Sequence, residues 1–191
     1  MAPALSRHAL IVASILACVA CDSREEPLNA KLVSYKYVSS AMKPTLSSPS
    51  ILTVREFGDS ADLVSLKRGD IVQYVWPIDS TKKFVHRLVG LPGDTLAMRH
   101  GVLEVNGRTY PEPYAWRDGA GADSVSSDFA WQREYALEVP RSGYRASRSD
   151  WGPLLISPSR YFVLGDNRDN SLVSRYWGLL PAANLRGVVQ Q

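Results

Sequence analysis

The 191-residue chain contains only two cysteines, Cys18 and Cys21, and both lie within its first 21 residues. No cysteine remains for a disulfide in the rest of the chain. The Cys-x-x-Cys spacing also occurs in redox and metal sites, but those sites need a strand–helix context or further ligands, which the sequence does not offer. We therefore expect no metal and no other cofactor.

The chain also lacks a block of basic residues and a long helical repeat. Its net charge of +3 comes from scattered Lys and Arg, so we expect no nucleic-acid-binding surface. After the N-terminus no long stretch repeats apolar residues with the period of an amphipathic helix. Thirteen Gly, twelve Pro and short Val- and Ile-rich runs instead predict a mainly β protein with one core and many turns.

Residues 1–21 have the layout of an export signal, with a short polar start and an apolar run at 9–20. That run is about a dozen residues long, shorter than the roughly 20 residues of a bilayer-spanning helix. Ala20 directly before Cys21 resembles a bacterial lipobox, in which the cysteine is lipidated, and Cys18 is a second candidate. This favours a lipid anchor over a cleaved signal or a short uncleaved anchor, and all three place the body outside the cytoplasm.

The rest of the chain reads as a polar linker at 22–31 and one domain at 32–191. The segment 32–38 has the composition of a strand, and Asn106-Gly107 predicts a hairpin turn after another strand. Residues 115–150 are rich in Gly, Ser, Asp and aromatic residues and match no pattern. We expect a small inserted β lobe or a long loop there.

Three segments of the domain carry a more specific signal. They are Ser39-Ser40-Ala41-Met42-Lys43-Pro44-Thr45-Leu46, then Val85-His86-Arg87-Leu88-Val89-Gly90-Leu91-Pro92-Gly93-Asp94, and then Gly165-Asp166-Asn167-Arg168-Asp169-Asn170-Ser171-Leu172-Val173-Ser174-Arg175. In order and spacing they resemble the bacterial type I signal peptidase (leader peptidase) family of serine proteases, family S26. The resemblance covers about 35–114 and 151–189, and it implies a signal-peptidase-like β-barrel or coiled β-sheet.

The resemblance also implies a mechanism and a ligand. In that family a loop serine attacks the peptide carbonyl that follows a signal peptide, and a buried neutral lysine is the base. A loop hydroxyl, here Ser39, and backbone N–H groups hold the oxyanion. The substrate adds to the sheet as an extended strand. By the same resemblance Met42 and Pro44 contact the substrate.

Three positions depart from the family pattern. Ala41 stands where the nucleophilic serine belongs, and a methyl group cannot form an acyl-enzyme. His86 replaces the lysine; an imidazole, with an ordinary pKa near ~6.5, can serve as a base near neutral pH. Val173 replaces the aspartate that would be the candidate carboxylate, although a histidine base usually needs such an orienting group.

The other matched polar residues are expected to support the structure by bonding the loops to the barrel. Arg87 and Asp166 are predicted to form an ion pair. The remaining members of this set are Asn167, Arg168, Ser171 and Arg175.

Two functions follow from this pattern. The favoured one is a catalytically impaired, signal-peptidase-like protein of the export pathway that binds extended preprotein segments or a peptidase partner. The alternative is an active signal peptidase in which Ser39 or Ser40 serves His86; Ser40 is the weaker candidate, because in an extended segment it points away from the face that Ala41 shares with Ser39. A decaying copy with neither activity is a third possibility.

The expected partners are signal peptides or exported preproteins and the membrane surface. The expected location is the bacterial cell envelope. There the protein would be exported and membrane-anchored, with its body on the outer face of the inner membrane.

Overall fold

Two antiparallel sheets form the framework of the structure, a computed structural model that describes residues 31–58, 61–119, 123–137 and 141–190. Cys18, Cys21, the leader and all but the last residue of the linker lie outside these residues, so the predictions made for them stay predictions. Within the described ranges, no helix has the length and apolarity that a membrane crossing requires.

The larger sheet has the strand order β1-β2-β11-β3-β4-β9-β10, and the smaller has the order β7-β6-β5-β8. The strands are β1 (Leu32–Tyr37), β2 (Ser50–Glu56), β3 (Ile71–Val75), β4 (Lys83–Gly90), β5 (Thr95–Arg99), β6 (Val102–Val105), β7 (Arg108–Thr109), β8 (Trp151–Leu155), β9 (Arg160–Leu164), β10 (Leu180–Pro181) and β11 (Leu185–Val189). Two short α-helices, α1 (Ala61–Val64) and α2 (Ser174–Trp177), and 3-10 helices at Ser127–Glu134, Arg141–Gly143 and Ala182–Asn184 connect them.

The prediction of a mainly β protein is confirmed, and the local signals account for it. β1 alternates exposed and inward-facing residues, as a strand with one solvated face does. The turn at Asn106-Gly107 has positive φ at both residues, 52° and 73°, which is the geometry that a two-residue hairpin of type I′ requires.

The region 115–150 differs from a β lobe. Its described residues form two of the 3-10 helices and two isolated bridges, while the smaller sheet is built from 95–109 and 151–155, on either side of it. Ser126 caps the longer 3-10 helix by accepting a hydrogen bond from the Asp128 N–H. Phe129 packs inward against Tyr176, with ring centroids 5.2 Å apart. Four of its aromatic residues therefore pack with the core without pairing as strands, whereas Trp116 is exposed.

Strand β4 is the element that positions the site. It pairs with β3 along Lys83–Arg87 and with β9 along Arg87–Gly90, and most of it is buried. Because side chains alternate along a strand, β4 directs His86 and Arg87 to opposite faces of the sheet.

The neighbouring strands β11 and β2 approach each other closely at Gly187. A Cβ atom on Gly187 would lie 2.3 Å from the Arg55 carbonyl oxygen and 2.8 Å from the Val54 side chain. Both are fixed parts of a paired strand.

We therefore expect Gly187→Ala to lower the free energy of unfolding by about 1–3 kcal/mol, since the added methyl must separate two paired strands. Gly58→Ala is the matched control, because its added carbon would meet its nearest neighbour at 3.8 Å. Denaturant unfolding of both variants measures the difference. Equal denaturation midpoints for the two variants would show that β2 and β11 leave room for a methyl group at Gly187.

Candidate active site

The loop 39–46 is anchored to the larger sheet through the buried side chain of Met42. Met42 has no exposed surface and packs in a cluster with Ile71 and Val85. Its N–H donates to the hydroxyl of Tyr37 at 3.1 Å. Met42 therefore has no surface to offer a ligand in this conformation and anchors the loop, whereas Pro44 is exposed.

Ala41, at the predicted nucleophile position, is held against the segment that begins at Gly165. The Asn167 N–H donates to the Ala41 carbonyl oxygen at 3.0 Å. A Cβ atom on Gly165 would lie 2.5 Å from that oxygen and 2.6 Å from Ser171 Oγ. Among the described residues, Ser171 Oγ is buried and has no hydrogen-bond partner. The loop and the segment therefore meet at a point where only a glycine fits, beside an unused hydroxyl.

The two loop serines make local contacts. Ser39 Oγ accepts a hydrogen bond from the Ala41 N–H at 3.1 Å. Ser40 Oγ accepts one from Asn170 Nδ2 at 3.0 Å. Ser39 thus occupies a backbone amide of the kind that would hold an oxyanion, and a ligand carbonyl would have to displace it.

His86 is buried in an aromatic environment. Burial lowers the pKa of its imidazole to about 3, so the ring is neutral near pH 7. Its Nδ1 lies 2.8 Å from the Tyr74 hydroxyl, and the ring of Phe84 stacks on it at 6.0 Å. Within the described part of the chain, neither loop serine is hydrogen-bonded to this ring.

Tyr74 lies where an orienting carboxylate would act on a histidine base. If Nδ1 carries the proton and donates to the Tyr74 oxygen, Nε2 is left as an acceptor; if Tyr74 donates, Nε2 carries the proton. Burial raises the pKa of Tyr74 well above its usual value, so the phenol stays protonated. Sequence reasoning missed this residue, because the contact depends on the β3–β4 register, in which Tyr74 lies opposite Phe84.

The predicted ion pair between Arg87 and Asp166 is present on the opposite face of β4. Arg87 Nε and Nη2 donate to the two carboxylate oxygens at 2.8 and 2.6 Å, and both side chains are buried. The hydroxyl of Thr45 donates to the same carboxylate. The guanidinium also lies 3.9 Å from the ring centroid of Tyr114. One carboxylate therefore ties together β4, the loop and the 165–175 segment.

Arg168 forms a second buried pair, with Glu112. Its two terminal nitrogens donate to the two carboxylate oxygens, one of them at 2.8 Å, and its Nε donates to the Gly165 carbonyl oxygen at 3.1 Å. Glu112 was not among the predicted site residues. A buried guanidinium is usually paired with a carboxylate, so Arg168 suggests that an acidic partner exists. The sequence alone does not identify that partner as Glu112.

Arg175 has no carboxylate partner among the residues that the structure describes. Val173, at the carboxylate position, has no exposed surface and packs in the apolar cluster that includes Phe129. Arg175 is also fully buried; its terminal nitrogens donate to the carbonyl oxygens of Arg148 and Arg168, and among the described residues its Nε has no partner. Burial is the main cause that lowers its pKa to about 10.

The region 115–150 covers this arginine. Trp131 Nε1 and Gln132 Nε2 donate to the Arg175 carbonyl oxygen at 2.8 and 3.2 Å. In the described ranges, no group of three or more His, Cys, Asp or Glu side chains is placed to hold a metal ion.

Comparison with known proteins agrees with this arrangement. The model of the family described as signal peptidase, peptidase S26, matches residues 8–191. The chain belongs to this family.

Signal peptidase I of Bacillus licheniformis is 34% identical over 190 residues, which cover 95% of this chain and 83% of that protein. Signal peptidase I of Pseudomonas aeruginosa is 30% identical over 177 residues, or 80% of this chain and 61% of that protein. The chain thus matches about three fifths of the length of some relatives. A crystal structure of a signal peptidase I from Enterococcus faecalis is 27% identical, with a TM-score of 0.45, and the match covers 66% of this chain and 97% of that one.

Removing the carboxylate that links the three elements should be severe. We expect Asp166→Asn to cost about 3–5 kcal/mol of unfolding free energy, because it leaves the Arg87 guanidinium buried without a counter-charge. Glu56→Gln is the control, since Glu56 pairs with an exposed Lys31, and such surface pairs contribute little. The double variant Arg87→Met/Asp166→Leu should lose less than Asp166→Asn alone. An Asp166→Asn protein as stable as the wild type would contradict the linking role.

His86 should make stability depend on pH. Its folded pKa of about 3 lies below its unfolded value near ~6.5, so the unfolded chain binds the extra proton between these pH values. We expect the contribution of His86 to fall by up to about 1.4 kcal/mol per pH unit as the pH drops through this window.

The measurement is the difference in unfolding free energy between the wild type and His86→Phe at several pH values, so that the carboxylates common to both cancel. The difference should shift in favour of the variant as the pH falls from 6.5 towards 3. A pH-independent difference would show that the imidazole titrates normally in the folded protein.

Proposed function

We propose that this protein binds extended segments of exported preproteins in a groove of the signal peptidase fold, without cleaving them. The observation that carries the proposal is a pair of unpaired strand edges that lead to the Ala41 loop. Signal peptidases act on preproteins, which supplies the kind of ligand.

The first edge belongs to β1, the terminal strand of the larger sheet. The Lys31 carbonyl oxygen accepts the Glu56 N–H from β2, so the odd-numbered residues of β1 direct their backbone groups towards β2. The even-numbered residues Ser34 and Lys36 therefore direct theirs to the open edge.

The second edge is the first half of β4. Leu88 exchanges hydrogen bonds with the β3 side, through Gly69 and Asp70, so Lys83 and Val85 direct their backbone groups to the other side. On that side β9 pairs with β4 only from Arg87 onward, and no strand of the described residues pairs there with 83–86.

The two edges run in the same direction. Four antiparallel pairings, β1–β2, β2–β11, β11–β3 and β3–β4, separate them, and an even number of reversals restores the direction. One extended peptide can therefore pair with both edges in the same sense, as in β-strand addition. At its carboxyl end β1 leads into the loop 39–46, which carries the Ser39 hydroxyl and the exposed Pro44.

The chemistry of the loop favours binding without cleavage. Ala41 offers no nucleophile, and in another serine protease loss of the nucleophile alone lowers turnover by roughly a millionfold. The neighbouring hydroxyls are engaged with the Ala41 N–H and with Asn170. Val173 and Ala41 together remove two of the reacting and orienting groups of the family pattern.

We also propose the cellular setting from the family and the leader. The body would lie on the outer face of the inner membrane, held through Cys21 or Cys18 as a lipid anchor. Processing and membrane attachment of Cys21→Ser and Cys18→Ser variants test the anchor, and both properties unchanged in both variants would exclude it.

The decisive test uses a labelled peptide with an Ala-x-Ala cleavage region. We expect the purified full-length protein to bind it and leave it intact. Lys36→Pro should weaken binding because it removes a backbone donor from the open edge of β1, whereas Lys36→Ala, which keeps that donor, should bind as the wild type does.

Cleavage should appear only when the missing groups are restored, in Ala41→Ser or in Ala41→Ser/His86→Lys/Val173→Asp. Cleavage by the natural chain that Ser39→Ala abolishes would establish the alternative, an active peptidase with a displaced nucleophile. Equal binding by Lys36→Pro and Lys36→Ala would reject the groove.

A further inference from the structure

Tyr35 spans the groove between the two open edges. Its hydroxyl donates to the Lys83 carbonyl oxygen at 3.0 Å. β1 and β4 do not pair with each other. At this point the Tyr35 side chain, and no backbone hydrogen bond of the described residues, joins the two strands. Burial raises the pKa of the Tyr35 phenol, which therefore stays a protonated donor.

The acceptor that Tyr35 uses is one that a bound strand would need. Lys83 directs its carbonyl oxygen to the open edge, where an added strand would donate an N–H to it. One carbonyl oxygen can accept two hydrogen bonds, and strand pairing uses the in-plane position that faces the groove. A hydroxyl that reaches the oxygen across the groove and a ligand N–H would compete for that position.

Tyr37 provides an internal comparison. It is the next inward-facing residue of β1 and also a tyrosine, but its hydroxyl accepts from the Met42 N–H. Tyr37 thus supports the loop, whereas Tyr35 alone of the two reaches the opposite edge.

We propose that Tyr35 is a specificity-determining residue of the groove: its hydroxyl takes the place of one ligand N–H at Lys83, so the groove accepts proline or another residue without an N–H at that position. The inference rests on the proposed function. It adds a rule of sequence selection, because every other pairing position of an extended ligand still needs its N–H.

The experiment is a scan of N-methylated peptides. Each residue of the Ala-x-Ala peptide is N-methylated in turn, and its affinity is measured for the full-length wild type, Tyr35→Phe and Tyr37→Phe. N-methylation removes a backbone donor, as proline does, and should weaken binding wherever that donor is used.

We expect Tyr35→Phe to show one methyl-sensitive position more than the wild type, because Lys83 is then free to accept. The unmodified peptide should also bind this variant more tightly, by roughly three- to tenfold, the change that one ordinary hydrogen bond produces. Tyr37→Phe should gain no sensitive position.

An unchanged set of sensitive positions in Tyr35→Phe, with the wild type binding the peptide, would overturn the role of Tyr35 and leave the proposed function intact. Weaker binding by Tyr35→Phe would also overturn it, since the hydroxyl would then be helping the ligand. Failure of all three proteins to bind any peptide would reject the proposed function and this inference together.

Discussion

The carboxylate of Asp166 is the interaction on which the rest of the site depends. It receives two hydrogen bonds from Arg87 on β4 and one from Thr45 in the loop. A buried charge without a partner costs several kcal/mol, so these groups are stable only together. Because Arg87 and His86 are neighbours on β4, fixing one also fixes the direction of the other.

This dependence means that the fold around the loop does not rely on the side chain at position 41. The contacts of Asp166, Arg168 and Asn167 stabilise the meeting of three chain segments, whatever residue occupies position 41. The Gly165 contact with the Ala41 carbonyl involves the backbone, which a serine would share. The contacts of Arg87, Asp166 and Arg168 are therefore explained by folding and are not evidence of catalysis, whereas no contact among the described residues explains the buried hydroxyl of Ser171.

The surroundings of Val173 and Arg175 show how a buried arginine is accommodated without a carboxylate from the described residues. Val173 joins an apolar cluster, and Arg175 donates to two backbone carbonyl oxygens in place of an acid. Backbone carbonyls satisfy donors without neutralising the charge, which agrees with the lowered pKa of Arg175. The 115–150 region contributes one of these carbonyls, through Arg148, and so helps to stabilise the buried Arg175 side chain.

Sequence reasoning predicted what depends on local pattern. The first strand and the Asn106-Gly107 turn follow from composition and turn chemistry, and the Arg87–Asp166 pair follows from the family resemblance. The structure of 115–150 did not follow, because Phe129 and Trp131 find their partners on α2, more than 40 residues away in the chain. The Tyr74–His86 contact was missed for a related reason, since it depends on how β3 and β4 pair.

The groove shows the same limit most clearly. The position of β1 near the start of the domain is compatible with an edge strand. The open half of β4, in contrast, depends on where β9 begins to pair. The contact from Tyr35 to Lys83 depends in turn on the curl of the sheet that brings these two edges together. The proposed ligand selection by Tyr35 thus depends on the tertiary arrangement of the sheet, in which an ordinary strand tyrosine becomes the donor to the opposite edge.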